Sequence, residues 1–291
     1  GKSKPYDPLV VARDIPFNQV AKVEMEMFNL PGVSIEIIPE REYLFGDLGS
    51  HVMGYIGEIS KRQLEEKEGL GYAPGDLIGK SGIELVSEDN LRGVKGKRVF
   101  EVDAHGQRVR VLEEREPVPG RDVKLTIDHD LQVIARQGPG DKAGAVVAMI
   151  PGTGEVLVME STPGFDPGVF AASLTVRQWK DIVEDPMHPL ENRAMRGAYP
   201  PGSVFKVVVT LAAFRKGILD PDATVFCPGH YSLGRVIVRC WKPEGHGNVD
   251  LVEAITKSCD VYFYTLGRAL GIDAIAEVGL QLGLGAKTGI M

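Results

Sequence analysis

The chain has 291 residues, 43% of them apolar and 25% charged, which is the composition of a globular protein with room for two domains and a sizeable core. A formal net charge of −7 argues against nucleic acid as a partner, and no apolar run approaches the length of a membrane-crossing helix. Three cysteines, all between Cys227 and Cys259, exclude a full disulfide framework. No signal peptide opens the chain, and Gly1-Lys2-Ser3-Lys4 reads as the middle of a longer protein or a remnant of cloning. The lack of an anchor here therefore says nothing about the native protein.

From residue 1 to about 118 the pattern is that of a mixed α+β domain. Pro16 to Asn29 predicts a short helix, stopped by Leu30-Pro31-Gly32. Val33 to Ile38 alternates apolar and polar residues as a half-buried strand does. Ser60-Lys61-Arg62-Gln63 has the form of a capping box and predicts a charged helix. Gly79-Lys80-Ser81-Gly82, before an Ile/Leu/Val pattern, predicts another. Val99 to Leu112 predicts a hairpin turning near Ala104-His105-Gly106. Pro117-Val118-Pro119-Gly120 is a linker or sharp turn, which divides the chain into domains 1–118 and 119–291.

In the second domain Asp122 to Ile127 predicts a strand, and Asp128 caps a helix that runs to about Gln137 and ends at Gly138-Pro139-Gly140. Ala143 to Ile150 is a continuous apolar run, fit for a central strand. Pro151-Gly152-Thr153-Gly154 turns it into a second strand, Glu155 to Met159. A loop-rich stretch from Ser161 to Pro201 leads to a helix that opens at Ser203 and is closed by Gly217. Asp250-Leu251-Val252-Glu253 predicts the start of the next helix. It is interrupted near Ser258, because Asp260 can cap a fresh helix ending before Gly271.

The helix at Ser203 carries the first candidate chemistry. Val204, Phe205, Val207, Val208, Val209, Leu211, Ala212, Ala213 and Phe214 make it apolar almost all round, as a buried central helix is. Its strongly polar residues, Ser203, Lys206 and Thr210, are spaced by three and four and form one stripe. A lysine in such surroundings is costly unless it has a task or a partner. With a serine hydroxyl one turn away, the pair reads as a nucleophile beside its activating base. A surface cap with a snorkelling lysine uses the same residue types, and the apolar surroundings weigh against it. Ser258-Cys259-Asp260, at the break between two helices, is the second element. It reads either as a proton relay facing the nucleophile or as an ordinary helix cap.

Cys227, Cys240, His246 and Cys259 follow the spacing C-x12-C-x5-H-x12-C, which fits no zinc-finger template. The set Cys3His is nonetheless a standard closed zinc shell. His246 stands between two glycines, which let the backbone approach a metal closely. A structural zinc, a disulfide plus one free thiol, buried apolar cysteines and chance all account for the pattern. No organic cofactor is implied.

These residues bring the chain to a family. It resembles the class B penicillin-binding proteins of the cell-elongation type, the penicillin-binding protein 2 group. The resemblance runs through Asn192-Arg193-Ala194, Tyr199-Pro200-Pro201-Gly202-Ser203-Val204-Phe205-Lys206, Gly245-His246-Gly247, Ser258-Cys259-Asp260-Val261-Tyr262-Phe263-Tyr264 and Thr288-Gly289-Ile290. In the first domain, Val11-Ala12-Arg13-Asp14-Ile15-Pro16, Gly54-Tyr55-Ile56-Gly57 and Gly79-Lys80-Ser81-Gly82-Ile83-Glu84 look like that family's non-catalytic pedestal.

The resemblance implies an α+β fold: a mixed pedestal, or dimerisation, domain followed by the N-terminal part of a serine β-lactamase-like transpeptidase domain, with helices on an antiparallel sheet. It implies a peptidoglycan D,D-transpeptidase in which Ser203 is the nucleophile, Lys206 the general base, Ser258 a proton relay and Asp260 a positioning group. The backbone N–H of Ser203 is the expected oxyanion donor. Implied partners are peptidoglycan stem peptides, β-lactams, a SEDS-type glycan polymerase and the elongation machinery. The implied location is the bacterial inner membrane, with a single-pass anchor in the parent protein, absent here, and both domains in the periplasm. A β-lactamase or D,D-carboxypeptidase of the same serine class, and a non-catalytic β-lactam sensor or binding module, are the alternatives.

Lys287-Thr288-Gly289 spells the family's third signature. It follows a Gly-punctuated stretch close behind a helix, where a separate G-x-x-T-G-I segment of the family is matched by Gly285 to Ile290. The third motif is therefore expected beyond Met291, and the site in this chain is expected to be incomplete and inactive.

Overall fold

A computed structural model describes residues 9, 11, 12, 15–30, 32–37, 40–103, 108–171 and 174–290. The expected turn at Ala104-His105-Gly106 and residues Arg13, Asp14 and Met291 lie outside them. The fold is α+β, with five two-stranded antiparallel ladders among the described residues. It divides into two compact units, Gly1–Gly197 and Ala198–Met291. Pro117-Val118-Pro119-Gly120 falls inside the first, where Val118 bridges Val94. No described helix is long and apolar enough to cross a membrane.

In the first unit, local signals become local structure. The helix Phe17–Glu26 continues as a 3-10 turn, Met27–Asn29. Ser60 and Gln63 close a reciprocal capping box on Lys61–Glu66. The hairpin Lys97–Val102 with Arg108–Arg115 carries exposed cross-strand ion pairs, among them Lys97–Glu113 at 3.0 Å. Such pairs contribute about 0–1 kcal/mol each. Asp128 Oδ1 accepts the Leu131 N–H at 2.9 Å and caps His129–Gln137.

Three expectations are corrected. Val33 to Ile37 joins no ladder among the described residues, and Ile38 lies outside them. Val123, Leu125 and Ile127 alternate inward as a strand would, but the Thr126 hydroxyl donates to the Val156 carbonyl at 2.6 Å and no strand forms. The stretch from Ser161 to Pro201 holds three short helices, Gly168–Ala171, Val176–Val183 and Arg193–Arg196. Thr175 and Gln178 form a second capping box, a local signal that the sequence reading passed over.

The strands Gly144–Met149 and Val156–Thr162 pair in register Val146↔Glu160. The first was expected to be central. It has one strand partner among the described residues, and Val147 and Met149 are half exposed. The buried face of the second strand holds Glu160, 1% exposed. Its carboxylate accepts from Gln132 Nε2 at 2.6 Å, from Gly49 N–H at 3.1 Å and from Arg136 Nη1 at 3.1 Å. Arg136 also pairs with Asp47. A buried charge needs that many donors, because each ion taken from water costs several kcal/mol, about 3–5 kcal/mol when a partner is lost. Nearby, Tyr55, Phe165 and Phe170 stack with centroids 4.1–5.9 Å apart.

The second unit holds two buried apolar clusters, with Phe205, Leu270 and Ile275 packed against both. Val249, Ala254, Cys259 and Val261 are 0–2% exposed. Each valine so buried contributes about 1.5–3 kcal/mol. The serine helix starts as a 3-10 turn, Gly202–Phe205, and becomes α-helical at Lys206–Arg215. Gly217, at φ 67°, ends it as expected. It packs on Asp260–Leu270 and Ile272–Gln281 through Val208, Val209, Ala212 and Ala213. The expectation of burial on every side is corrected: Val204 and Phe214 are 74% and 72% exposed, with Val207 and Leu211 between them on the same open face. Its apolar neighbours lie on one side only among the described residues.

Candidate active site

Lys206 is the first residue of the α-helical part of the serine helix, one turn after Ser203. Its side chain is 13% exposed and is fully engaged. Nζ donates to Asp260 Oδ1 at 2.7 Å, to Ser258 Oγ at 2.9 Å and to the Ser258 carbonyl at 2.9 Å. The Phe263 ring lies 5.5 Å from the ammonium. Ser258 Oγ in turn donates to Ser203 Oγ at 2.8 Å. The hydrogen-bonded path from the lysine to the exposed Ser203 hydroxyl therefore runs through Ser258. Thr210, the third residue of the polar stripe, turns its hydroxyl back to the Lys206 carbonyl at 2.9 Å and stays out of this chain.

Ser258 reaches this position because the backbone breaks between the helices Leu251–Thr256 and Asp260–Leu270. Its φ is 50°, in the left-handed region that serine enters at a cost of about 1–2 kcal/mol. Asp260 is the first residue of its helix and makes no cap; Cys259 holds the cap position without a side-chain bond to the helix N–H groups. The ordinary-cap reading of Asp260 is thereby set aside. Its two oxygens serve the site instead: Oδ1 takes Lys206, and Oδ2 accepts the Trp241 backbone N–H at 3.1 Å.

Trp241 is the residue that sequence reasoning missed. Its indole N–H donates to the Lys257 carbonyl at 2.9 Å, and its ring meets His246 edge-on at 5.3 Å between centroids. One signal was available: it is one of two tryptophans and directly follows Cys240. An open cavity of about 510 Å3 lies alongside, lined by Trp241, Lys242, Pro243, Glu244, His246 and Lys257.

The four candidate metal ligands converge. The ligand atoms of Cys227, Cys240, His246 and Cys259 all lie within 4.8 Å of one another. The ladder Val225–Cys227 with Gly247–Val249 sets Cys227 opposite Gly247, and the His246 N–H bonds the Cys227 carbonyl at 3.1 Å. The hairpin His230–Leu233 with Val236–Arg239 returns Cys240 to the Gly229 carbonyl at 2.9 Å. Gly245, at φ 80°, is required there, since a Cβ would stand 2.1 Å from the Cys227 carbonyl oxygen.

These residues fit a zinc ion. His246 Nδ1 is 3.5 Å from both Cys227 Sγ and Cys240 Sγ. Two tetrahedral zinc ligands at ordinary bond lengths sit about 3.5 Å apart. The three cysteines are buried and unpaired by disulfides. Burial pushes the Cys259 thiol up to about 12, and the neighbouring Cys227 and Cys240 add to the shift. Burial also works against ionisation of Cys227, but the N–H groups of Gly229 and His246 and the other two thiols outweigh it and hold Cys227 below the usual thiol range. Thiols so crowded ionise together only around a cation. Buried His246 Nε2 has no hydrogen-bond partner among the described residues. Cys240 Sγ also accepts the Asp260 N–H at 3.4 Å, so the cluster touches the serine site directly.

Lys287-Thr288-Gly289 lies after the helix Ile272–Gln281 and outside any strand.

Two family profiles match the chain: the penicillin-binding protein dimerisation domain over residues 2–125, and the penicillin binding protein transpeptidase domain over residues 144–291. The peptidoglycan D,D-transpeptidase MrdA of Acinetobacter baumannii is 38% identical over 273 residues, 93% of this chain and 41% of the relative. Among solved structures, a complex between penicillin-binding protein 2 and MreC from Helicobacter pylori is 32% identical with TM-score 0.83, over 94% of this chain and 51% of that one. A structure described as the structural coordination of polymerization and crosslinking by a peptidoglycan synthase complex is 33% identical with TM-score 0.76, over 94% and 50%. The chain thus spans about half the length of the relatives it matches.

Proposed function

The chain belongs to the penicillin-binding protein family, and from that premise we propose that it forms part of a peptidoglycan D,D-transpeptidase of the cell-elongation type. The observation that carries this reading is the chain of hydrogen bonds Ser203 Oγ–Ser258 Oγ–Lys206 Nζ–Asp260 Oδ1. Ser203 attacks the carbonyl of a D-Ala-D-Ala stem peptide. Lys206, in its neutral amine form with one Nζ lone pair turned to Ser258, is the base, and Ser258 carries the proton between them. Both hydroxyls are rotors, so the same atoms can support the bonds in the reverse direction. Ser258 then delivers the proton to the departing D-alanine amine, leaving an acyl-enzyme on Ser203. An amine of a neighbouring stem peptide takes the acyl group and a cross-link results. A β-lactam acylates the same serine.

The two domain matches support a transpeptidase over a β-lactamase or D,D-carboxypeptidase, because a dimerisation domain precedes the serine site. The rate of deacylation separates these readings: a stable penicillin adduct supports the transpeptidase, and rapid turnover contradicts it. Supplied with a glycan polymerase and its lipid-linked substrate, the intact protein should release D-alanine and form cross-linked glycan. Ser203→Ala should do neither.

The proposal extends to four further points. Cys227, Cys240, His246 and Cys259 hold a structural zinc, which supplies a cross-link between the Cys227–His246 loop and the segment bearing Ser258. The partners are a SEDS-type polymerase and the elongation machinery, a reading supported by relatives solved with MreC and within a peptidoglycan synthase complex. The pedestal is the contact surface for those partners. The protein is anchored by a single pass in the inner membrane, with both domains in the periplasm.

A further inference from the structure

Ser258 sits in a backbone conformation that serine adopts only under constraint, with φ 50°. Two carbonyls bound that residue, and each is held by a donor from elsewhere in the chain. The Ser258 carbonyl accepts from Lys206 Nζ at 2.9 Å, and the Lys257 carbonyl accepts from the Trp241 indole N–H at 2.9 Å. The first donor belongs to the reacting group itself. The second belongs to a side chain that is 63% exposed and so contributes little to the core.

Trp241 is itself fixed at two more points. Its backbone N–H meets Asp260 Oδ2 at 3.1 Å, and its ring abuts His246 at 5.3 Å. The indole N–H is therefore presented from a rigid base, and it is a further tie on a turn that the helix end already shapes, where the Ser258 N–H bonds the Ile255 carbonyl at 3.1 Å and the Cys259 N–H bonds the Ala254 carbonyl at 2.8 Å. Those helix-end bonds set the left-handed φ, and the indole bond limits the remaining tilt of the Lys257–Ser258 peptide, which shifts the Ser258 hydroxyl relative to Ser203 and Lys206.

We propose that Trp241 is a positioning residue for the reaction: its indole N–H, bonded to the Lys257 carbonyl, holds Ser258 in the geometry that bridges Lys206 and Ser203. The inference rests on the transpeptidase reading for its kinetic consequence, and on geometry alone for its conformational one. Trp241 touches no reacting atom; it acts through the backbone of Ser258.

The test replaces Trp241 with 3-benzothienylalanine, which keeps the ring's size and its contact with His246 but lacks the N–H, alongside Trp241→Phe. Ser258 13Cα and 13Cβ shifts, assigned by comparison with Ser258→Ala, report φ and ψ whether or not the protein is active. The rate of Ser203 acylation by a fluorescent penicillin, measured in the intact protein, reports the kinetic effect. In both variants the Ser258 shifts should move from their wild-type values and acylation should slow about tenfold, the worth of one such hydrogen bond. Melting temperature and bound metal should stay as in the wild type, which a merely structural role would not allow. Unchanged Ser258 shifts, or acylation at the wild-type rate, overturn the proposal. If the wild type forms no adduct at Ser203, the transpeptidase reading falls while the Ser258 shifts still decide the positioning role. Should neither variant fold, the wild-type indole N–H decides, assigned with Trp179→Phe. Slow exchange with solvent supports the bond, and exchange at the rate of free indole overturns it.

Discussion

Ser258 Oγ lies 2.8 Å from Ser203 Oγ, and it is this hydroxyl, on a residue 55 positions away in sequence, that connects the Ser203 hydroxyl to Lys206. Ser258→Ala removes the bridge while leaving both ends in place. Acylation by a fluorescent penicillin should fall by about 10²–10⁴-fold, the usual range for loss of a proton-transfer group. Acylation within threefold of the wild type would mean that the proton takes another path.

Asp260 holds the ammonium of Lys206 at 2.7 Å in a setting where the two side chains are 13% and 24% exposed. Asp260→Ala leaves that charge with neutral oxygens only and should cost about 2–4 kcal/mol in urea unfolding, somewhat below the range for a fully buried pair. Asp260→Asn keeps an acceptor for Lys206 and should cost less than half as much. Equal losses in the two variants would show that the negative charge, rather than the acceptor, is what the lysine needs.

Glu160 sets up a pH dependence. Burial pushes its carboxyl above the usual range, against the opposing hydrogen bonds from Gly49, Gln132 and Arg136. The folded protein then holds this proton more tightly than the unfolded chain does. The stability it contributes is complete below the unfolded carboxyl pKa and is lost as pH rises through the higher folded value. Glu160→Gln does not titrate, so the variant should gain on the wild type as pH is raised from about 4.5, the ordinary glutamate value. Urea unfolding of both proteins across that interval checks the trend. A variant that loses ground with rising pH would mean that the pairing with Arg136 outweighs desolvation.

The cysteine cluster predicts a metal content. Protein purified without chelator should carry about one equivalent of zinc, with no disulfide. Cys227→Ser and His246→Ala should each strip most of it, and chelation should lower the melting temperature of Ala198–Met291. Metal-free protein with two oxidised thiols would contradict the zinc reading.

What was legible in the sequence was mostly local. Ser60, Asp128 and Asp250 each announced a helix, because a cap and its N–H partner lie three residues apart. Ser203 and Lys206 were readable for the same reason, since one turn of helix joins them. The four ligands could be named from residue type, but their convergence depends on two hairpin returns and on Gly245, which spacing does not reveal. The left-handed Ser258 comes from a local helix end, its N–H on Ile255 and the Cys259 N–H on Ala254, but serine in place of the usual glycine hides it. The indole of Trp241 was invisible, because its hydrogen bond closes across two separate elements. The Glu160 cluster was hidden likewise, its carboxylate reaching back to Gly49. The apolar run of the serine helix promised burial on all sides, yet periodicity records which faces can be covered rather than which are.

The chemistry proposed for this site depends on Ser203 as the nucleophile. The most direct measurement is peptide mapping by mass spectrometry after exposure of the intact protein to a penicillin. The predicted result is a single stable acyl adduct on Ser203, absent from Ser203→Ala. An adduct on another residue, or none in protein whose fold is intact, would contradict it.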